Sequence, residues 1–167
     1  GIFATGTGTK VVNSKDIKVL SGNSVGIFGE KSATVQNAGN IELGTIGSTL
    51  KGLIGIFGES KATAEAVKIE NLGGTINVNT ESSAGMYADN SSGTVSNVTL
   101  ENTGTISVNG NSNIGVYAEG KYTFNHEKNA AGDNKISVGS NAIGIYAKNA
   151  TGALNIKAPI DIAASGT

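Results

Sequence analysis

Ile114-Gly115-Val116-Tyr117-Ala118-Glu119 is a phrase that this chain repeats. It returns as Ile143-Gly144-Ile145-Tyr146-Ala147-Lys148, Ala84-Gly85-Met86-Tyr87-Ala88-Asp89, Ile54-Gly55-Ile56-Phe57-Gly58-Glu59 and Val25-Gly26-Ile27-Phe28-Gly29-Glu30, and Gly1-Ile2-Phe3-Ala4 opens on its second residue. The phrase glycines stand at 1, 26, 55, 85, 115 and 144, so the steps are 25, 29, 30, 30 and 29 residues. A near-constant period in this range, built from short runs of alternating apolar and polar residues, is the mark of a solenoid.

Two further strand-like runs lie between successive phrases. The clearest are Val98-Thr99-Leu100-Glu101-Asn102 and Gly104-Thr105-Ile106-Ser107-Val108, preceded by Val67-Lys68-Ile69-Glu70-Asn71 and Gly74-Thr75-Ile76-Asn77-Val78. Gly, Asn and Ser separate the runs, as tight turns require. Each repeat thus reads as three short strands and three turns in about 30 residues, and the fold class is all-β: a parallel β-helix over residues 1–167, with turns starting near 1, 26, 55, 85, 115 and 144. One such turn cannot bury its apolar side, whereas stacked turns bury Ile on Ile and pair their backbones about 4.8 Å apart. A sandwich would not need one phrase at one step six times.

Strand parity predicts the faces. Val25, Ile27 and Gly29, with their counterparts in later turns, are placed inside. The phrase glycines and Phe3, Phe28, Phe57, Tyr87, Tyr117 and Tyr146 fall on the other side, which makes an outward aromatic ladder. The rival assignment turns the rings inward. Val35, Val67, Ile69, Val98, Leu100, Phe124, Leu154 and Ile156 are also placed inside, with the third-strand pairs from Ile17 and Val19 to Ile160 and Ile162. Asn37, Asn71 and Asn102 recur after the second strand and read as a structural ladder of stacked side-chain amides. Loop lengths single out residues 44–53, with Thr45, Leu50 and Lys51, and residues 125–134, with His126 and Lys128, as surface loops suited to binding.

Composition narrows the function. Charges balance, with 12 basic against 13 acidic residues, so the electrostatic footprint of nucleic-acid binding is missing. There is no cysteine, which removes thiol chemistry and thiolate metal sites. No apolar run reaches the roughly 20 residues of a membrane helix. Glu30, Glu59, Asp89 and Glu119 follow the phrase as a row, but Lys31 and Lys61 lie beside them and Lys148 ends it, so a solvated row is expected rather than a cation site. Glu70 and Glu101 could suggest sugar cleavage by paired carboxylates, yet they recur as a column instead of forming one unique pair. His126 is the one histidine, too few for a metal site or a catalytic base by this reading. No cofactor motif occurs, and the chain is expected not to be an enzyme.

The combination of Asn-Ser-x-Ile-Gly-Val-Tyr-Ala (residues 111–118) with Glu-Asn-Thr-Gly-Thr-Ile-Ser-Val (residues 101–108) resembles the passenger repeats of large bacterial type V autotransporter adhesins, the fusobacterial ones most of all. The resemblance covers the repeat and so the whole chain. It implies a right-handed β-helix, exported to the cell surface and anchored in the outer membrane by a C-terminal barrel that lies outside this stretch. It also implies adhesion to a host or bacterial surface protein or glycan. On this reading the chain is an excerpt whose open ends meet further β-helix turns. Phe28, Phe57, Tyr87, Tyr117 and Tyr146 are the candidate binding face. A pure structural spacer is the alternative, and a β-helical glycan lyase or hydrolase the less favoured one.

Overall fold

The computed structural model describes residues 1–62, 64–90, 98–148 and 151–163. The first two turns carry β1 (Ile2–Thr5), β2 (Lys10–Asn13), β3 (Ile17–Val19), β4 (Val25–Glu30), β5 (Thr34–Asn37) and β6 (Asn40–Leu43). The next two carry β7 (Ile54–Glu59), β8 (Lys68–Asn71), β9 (Thr75–Val78), β10 (Ala84–Asn90), β11 (Val98–Asn102) and β12 (Thr105–Val108). The last two carry β13 (Ile114–Gly120), β14 (Tyr122–His126), β15 (Ile136–Val138), β16 (Ile143–Lys148), β17 (Ala153–Ile156) and β18 (Ile160–Ile162).

Every third strand joins the same sheet. The orders are β1-β4-β7-β10-β13-β16, β2-β5-β8-β11-β14-β17 and β3-β6-β9-β12-β15-β18, all parallel. This is a right-handed parallel β-helix of three six-stranded sheets. The register is that of the repeat: Phe28 stands on Phe57, Tyr87 on Tyr117 and Ile106 on Ile136.

The core is a set of columns. Ile27, Ile56, Met86 and Val116 line it from the first sheet, Val35, Ile69, Leu100 and Phe124 from the second, and Ile41, Ile76, Ile106 and Ile136 from the third, all with no exposed surface. Tyr122, which shares parity with Phe124, is buried as well. The final turn differs. Leu154, Ile156, Ile160 and Ile162, placed inside on parity, are exposed at 45%, 40%, 37% and 78%, because no described turn stacks on them.

Parity fails at one position of the phrase. Gly26, Gly55, Gly85 and Gly115, expected on the outer side, are buried together with the residue that follows each. Val25, Ile54 and Ile114, expected inside, are half-exposed, and Ile143 is 43% exposed. The strand bends at the glycine, so two successive residues face inward. There the backbone passes too close to its neighbours for a side chain. A Cβ on Gly85 would lie 2.7 Å from the Gly115 carbonyl oxygen and 3.1 Å from Ile106 Cγ2, and one on Gly55 would lie 2.5 Å from the Gly85 oxygen. The glycine is needed for close packing at this corner, as its φ does not lie in the left-handed region.

Gly85→Ala is predicted to destabilise the fold by about 1–3 kcal/mol, the usual cost of forcing extra volume into a packed core. Urea denaturation should show a lower midpoint, and an unchanged midpoint would refute this account of the corner.

Candidate aromatic face and amide ladder

The six rings form one outer ladder. Phe28, Phe57, Tyr87 and Tyr117 are half-exposed, and Phe3 and Tyr146, at its ends, are 58% and 40% exposed. Ring centroids are 5.3, 4.9, 5.1, 4.5 and 5.3 Å apart from Phe3 to Tyr146. Phe28 on Phe57, Tyr87 on Tyr117 and Tyr117 on Tyr146 are stacked, at interplanar angles of 11°, 9° and 21°. Phe57 and Tyr87 meet edge to face at 84°, where the ladder changes from Phe to Tyr. Both arrangements suit the ring quadrupoles.

The row of carboxylates runs along the ladder, two residues past each ring. Glu30 pairs with Lys31 at 3.7 Å, Glu59 with Lys61 at 2.8 Å, and Glu119 with Lys148 at 2.9 Å. The Tyr117 hydroxyl donates to Glu119 at 2.8 Å. Loss of solvent and then this hydrogen bond hold the Tyr117 phenol well above its ordinary value of 10.0. Because its folded value is raised, the contribution of Tyr117 is intact below the unfolded value and declines as pH rises towards the folded one.

A second line of polar groups lies inside the rod. Asn13 Nδ2 donates to Asn37 Oδ1 at 2.8 Å, Asn37 Nδ2 to Asn71 Oδ1 at 2.9 Å, and Asn71 Nδ2 to Asn102 Oδ1 at 2.8 Å. Asn37 and Asn71 also donate to the carbonyls of Gly39 and Gly74, which sets the amide orientation. The glycines leave room for this: a Cβ on Gly74 would stand 2.4 Å from Asn37 Nδ2. The line continues into His126. Asn102 Nδ2 approaches His126 Nδ1 at 3.1 Å, and His126 Nε2 approaches the Pro159 carbonyl at 3.3 Å. The Asn102 backbone carbonyl oxygen also lies 3.2 Å from His126 Nδ1, so Asn102 offers that ring nitrogen both a donor and an acceptor. The placement of His126 in an exposed loop is thereby corrected. It lies in β14, has no exposed surface and takes the ladder position of its turn, paired in register with Asn102.

Of the loop candidates, Thr45, Lys51 and Lys128 are exposed, and Leu50 packs against the core. Lys51 forms an ion pair with Glu81 of the next turn at 3.3 Å and an isolated parallel bridge with it. The loop after β14 is tied to itself: Asn134 Nδ2 donates to the Glu127 carbonyl and the Asn129 amide donates to Asn134 Oδ1. The column of Glu70 and Glu101 is clamped by one cation, with Lys68 Nζ 2.6 and 3.0 Å from the two carboxylates. Among the described residues no group of three or more His, Cys, Asp or Glu is placed to hold a metal ion.

Sequence reading missed the corners that flank the aromatic face. Asn23, Gly52, Ser82, Ser112 and Asn141 all adopt positive φ, between 48° and 70°. Each precedes its strand by two residues, and the recurrence of Asn, Gly or Ser at that offset was the available signal. Asn113 was missed too. Its Oδ1 accepts from the Ser83 amide at 2.9 Å while its Nδ2 donates to the carbonyls of Thr80 and Asn109, which locks one corner.

The family described as BigA third pectate lyase-like domain matches residues 2–123, from β1 into β14. The chain belongs to this family. The match takes in the rings from Phe3 to Tyr117 and the ladder from Asn13 to Asn102, so the family signal follows the repeat described above. Neither a curated protein nor a solved structure matches the chain.

Two predictions concern these side chains. Asn71→Ala removes the acceptor of Asn37 and the donor of Asn102 in a dry interior, and should cost about 2–5 kcal/mol; a loss below 1 kcal/mol in equilibrium unfolding would contradict a continuous ladder. In an alkaline titration followed by phenolate absorbance, Tyr117→Phe should remove a phenol that ionises above pH 10, and removal of one that ionises at the ordinary value would contradict the environment assigned to Tyr117.

Proposed function

We propose that this chain is a segment of a surface-exposed adhesin passenger, a rod that holds a binding face away from the cell and performs no catalysis. The observation that carries this reading is the continuous, half-exposed aromatic ladder, with neighbouring rings 4.5–5.3 Å apart on one outer face. Contiguous exposed aromatic surface is unusual on a soluble protein and favours recognition. The near-neutral charge points away from nucleic acid as a partner. The partner proposed is a protein or glycan on a host cell or on another bacterium.

In the same reading the rod is exported, anchored through an outer-membrane barrel elsewhere in the protein, and continued by similar turns at both ends. The passenger-like repeat in residues 101–118 supports this placement. The name of the matching family raises glycan cleavage as a second possibility. Against it stands the clamping of Glu70 and Glu101 by Lys68, since cleavage by paired carboxylates needs one group free to donate a proton and another free to attack or activate water.

Adhesion of the purified segment to host cells and to partner bacteria tests the proposal, with Tyr87→Ser/Tyr117→Ser as the variant. Stacked ring pairs contribute about 0.5–1.5 kcal/mol beyond burial, so the variant is first checked for a native circular dichroism spectrum and unfolding transition. The expected result is saturable adhesion that falls roughly tenfold or more in the folded variant. Equal adhesion by both proteins would remove the aromatic face from function. No adhesion by either would leave this segment a spacer.

A further inference from the structure

The aromatic ladder is one wall of a trough. Its floor is Ile54, Ala84 and Ile114, the residues at the start of three successive strands, with Ile54 and Ile114 half-exposed. Tyr87 and Tyr117 form one wall, and the corner residues Ser82 and Ser112 form the other. The cavity measures about 360 Å³ and crosses three turns, so it runs along the rod axis, perpendicular to the strands.

The trough is amphipathic and uncharged. None of its lining residues is Asp, Glu, Lys, Arg or His. The carboxylates of the phrase lie past the rings, away from the corner wall, and Glu59 and Glu119 are paired with Lys61 and Lys148. Ser82 and Ser112 are exposed, and the positive φ of each corner recurs from turn to turn. The repeat therefore presents aromatic faces on one side and hydroxyls on the other, at a step of about 4.8 Å.

Two classes of elongated partner could lie in such a trough. An extended peptide gains most of its affinity by adding to an open sheet edge. Here every strand beside the trough is already paired on both sides, β7 with β4 and β10, β10 with β7 and β13, and β13 with β10 and β16. A strand lying along the rod axis would also cross these strands at right angles and find no ladder to join. A sugar chain has no such need. Each pyranose ring carries an apolar C–H face that stacks on an aromatic ring and equatorial hydroxyls at its rim that hydrogen-bond sideways. An uncharged trough offers no partner for a carboxylated sugar.

We infer that the trough between the Tyr87–Tyr117 ladder and the Ser82–Ser112 corners binds a neutral, linear glycan laid along the rod axis. This rests on the adhesin reading and names its ligand class. Ile54, Ala84 and Ile114 set the depth of the trough, Tyr87 and Tyr117 stack the sugar faces, and Ser82 and Ser112 hydrogen-bond the rim hydroxyls.

The test uses the chain as it stands, with cellohexaose as the neutral probe and hexagalacturonate as the acidic one. Three of the four tyrosines stand in the ladder, the fourth is the buried Tyr122, and there is no tryptophan, so a ligand-induced change in tyrosine emission reports on the ladder. The expected result is saturable, salt-insensitive change in tyrosine emission with cellohexaose and at least roughly tenfold weaker binding of hexagalacturonate. Ile114→Lys, which fills the floor with a charged side chain, should weaken cellohexaose binding roughly tenfold, whereas Ser107→Lys on a distant outer face should not. Equal or tighter binding of the acidic probe overturns the inference, as does absence of cellohexaose binding to the folded wild-type chain. Ile114→Lys binding that matches wild type also overturns it, and because the wild-type comparison of the two probes decides by itself, a misfolded variant leaves the test intact. Adhesion that survives while both sugars fail would overturn the trough and keep the adhesin reading. Cellohexaose binding without adhesion to any cell would do the reverse.

Discussion

The rest of the structure depends on the parallel, in-register pairing of each turn with the turn before it. The strand N–H and C=O groups find their partners in the turns on either side, and a buried group left unpaired would cost as much as a lost hydrogen bond. Register then dictates the rest. Like residues must stand on like, so apolar residues form columns, rings form a ladder on the outside, and asparagines form a chain of amides inside. Tight stacking also demands glycine where backbones of successive turns nearly touch, as at Gly85 beneath Gly115.

This pairing explains why so much of the fold was legible in the chain. Ile106, Ile136 and their counterparts recur at a fixed step with period-2 alternation, and local rules suffice to place them inside. The alternation rule stops at a bend. Gly26 and Ile27 are buried in succession, and a Cβ on Gly26 would meet the side chains of Ile17 and Val19, which lie earlier in the chain, at 3.6 and 3.4 Å, a neighbourhood that local alternation does not reveal. His126 was misplaced for a related reason. By type it departs from the asparagines at its ladder position, and only the register with Asn102 reveals that an imidazole can stand where the next amide would. The trough was invisible because its parts lie on three turns, none of which is distinctive alone.

A rod of this kind separates stability from recognition. Inward positions are constrained by the turns above and below, while outward positions are constrained mainly by the need to avoid like charges in register. The outer face is thus free to vary, and the change from Phe57 to Tyr87, with its shift from stacked to edge-on rings, is such a variation. It brings hydroxyls to one half of the ladder and none to the other, so the two halves offer different chemistry to a ligand on the same scaffold. Membership of a pectate lyase-like family describes that scaffold, and activity remains a matter of the side chains that a given chain hangs on it.

Intramolecular cross-linking tests the register most directly, and the absence of native cysteine makes it clean. Ser107 and Ser137 are register partners on adjacent turns, whereas Asn77 and Ser137 are two turns apart, with Ser107 between them. The measurement is the rate of disulfide formation under mild oxidation in two double variants, Ser107→Cys/Ser137→Cys and Asn77→Cys/Ser137→Cys. Adjacent turns place Cα atoms about 4.8 Å apart and alternate turns about twice that, beyond the reach of a disulfide. The account predicts rapid closure of the first pair and none of the second. Closure of the second pair without the first would contradict the stacking on which the ladder, the amide chain and the trough all rest.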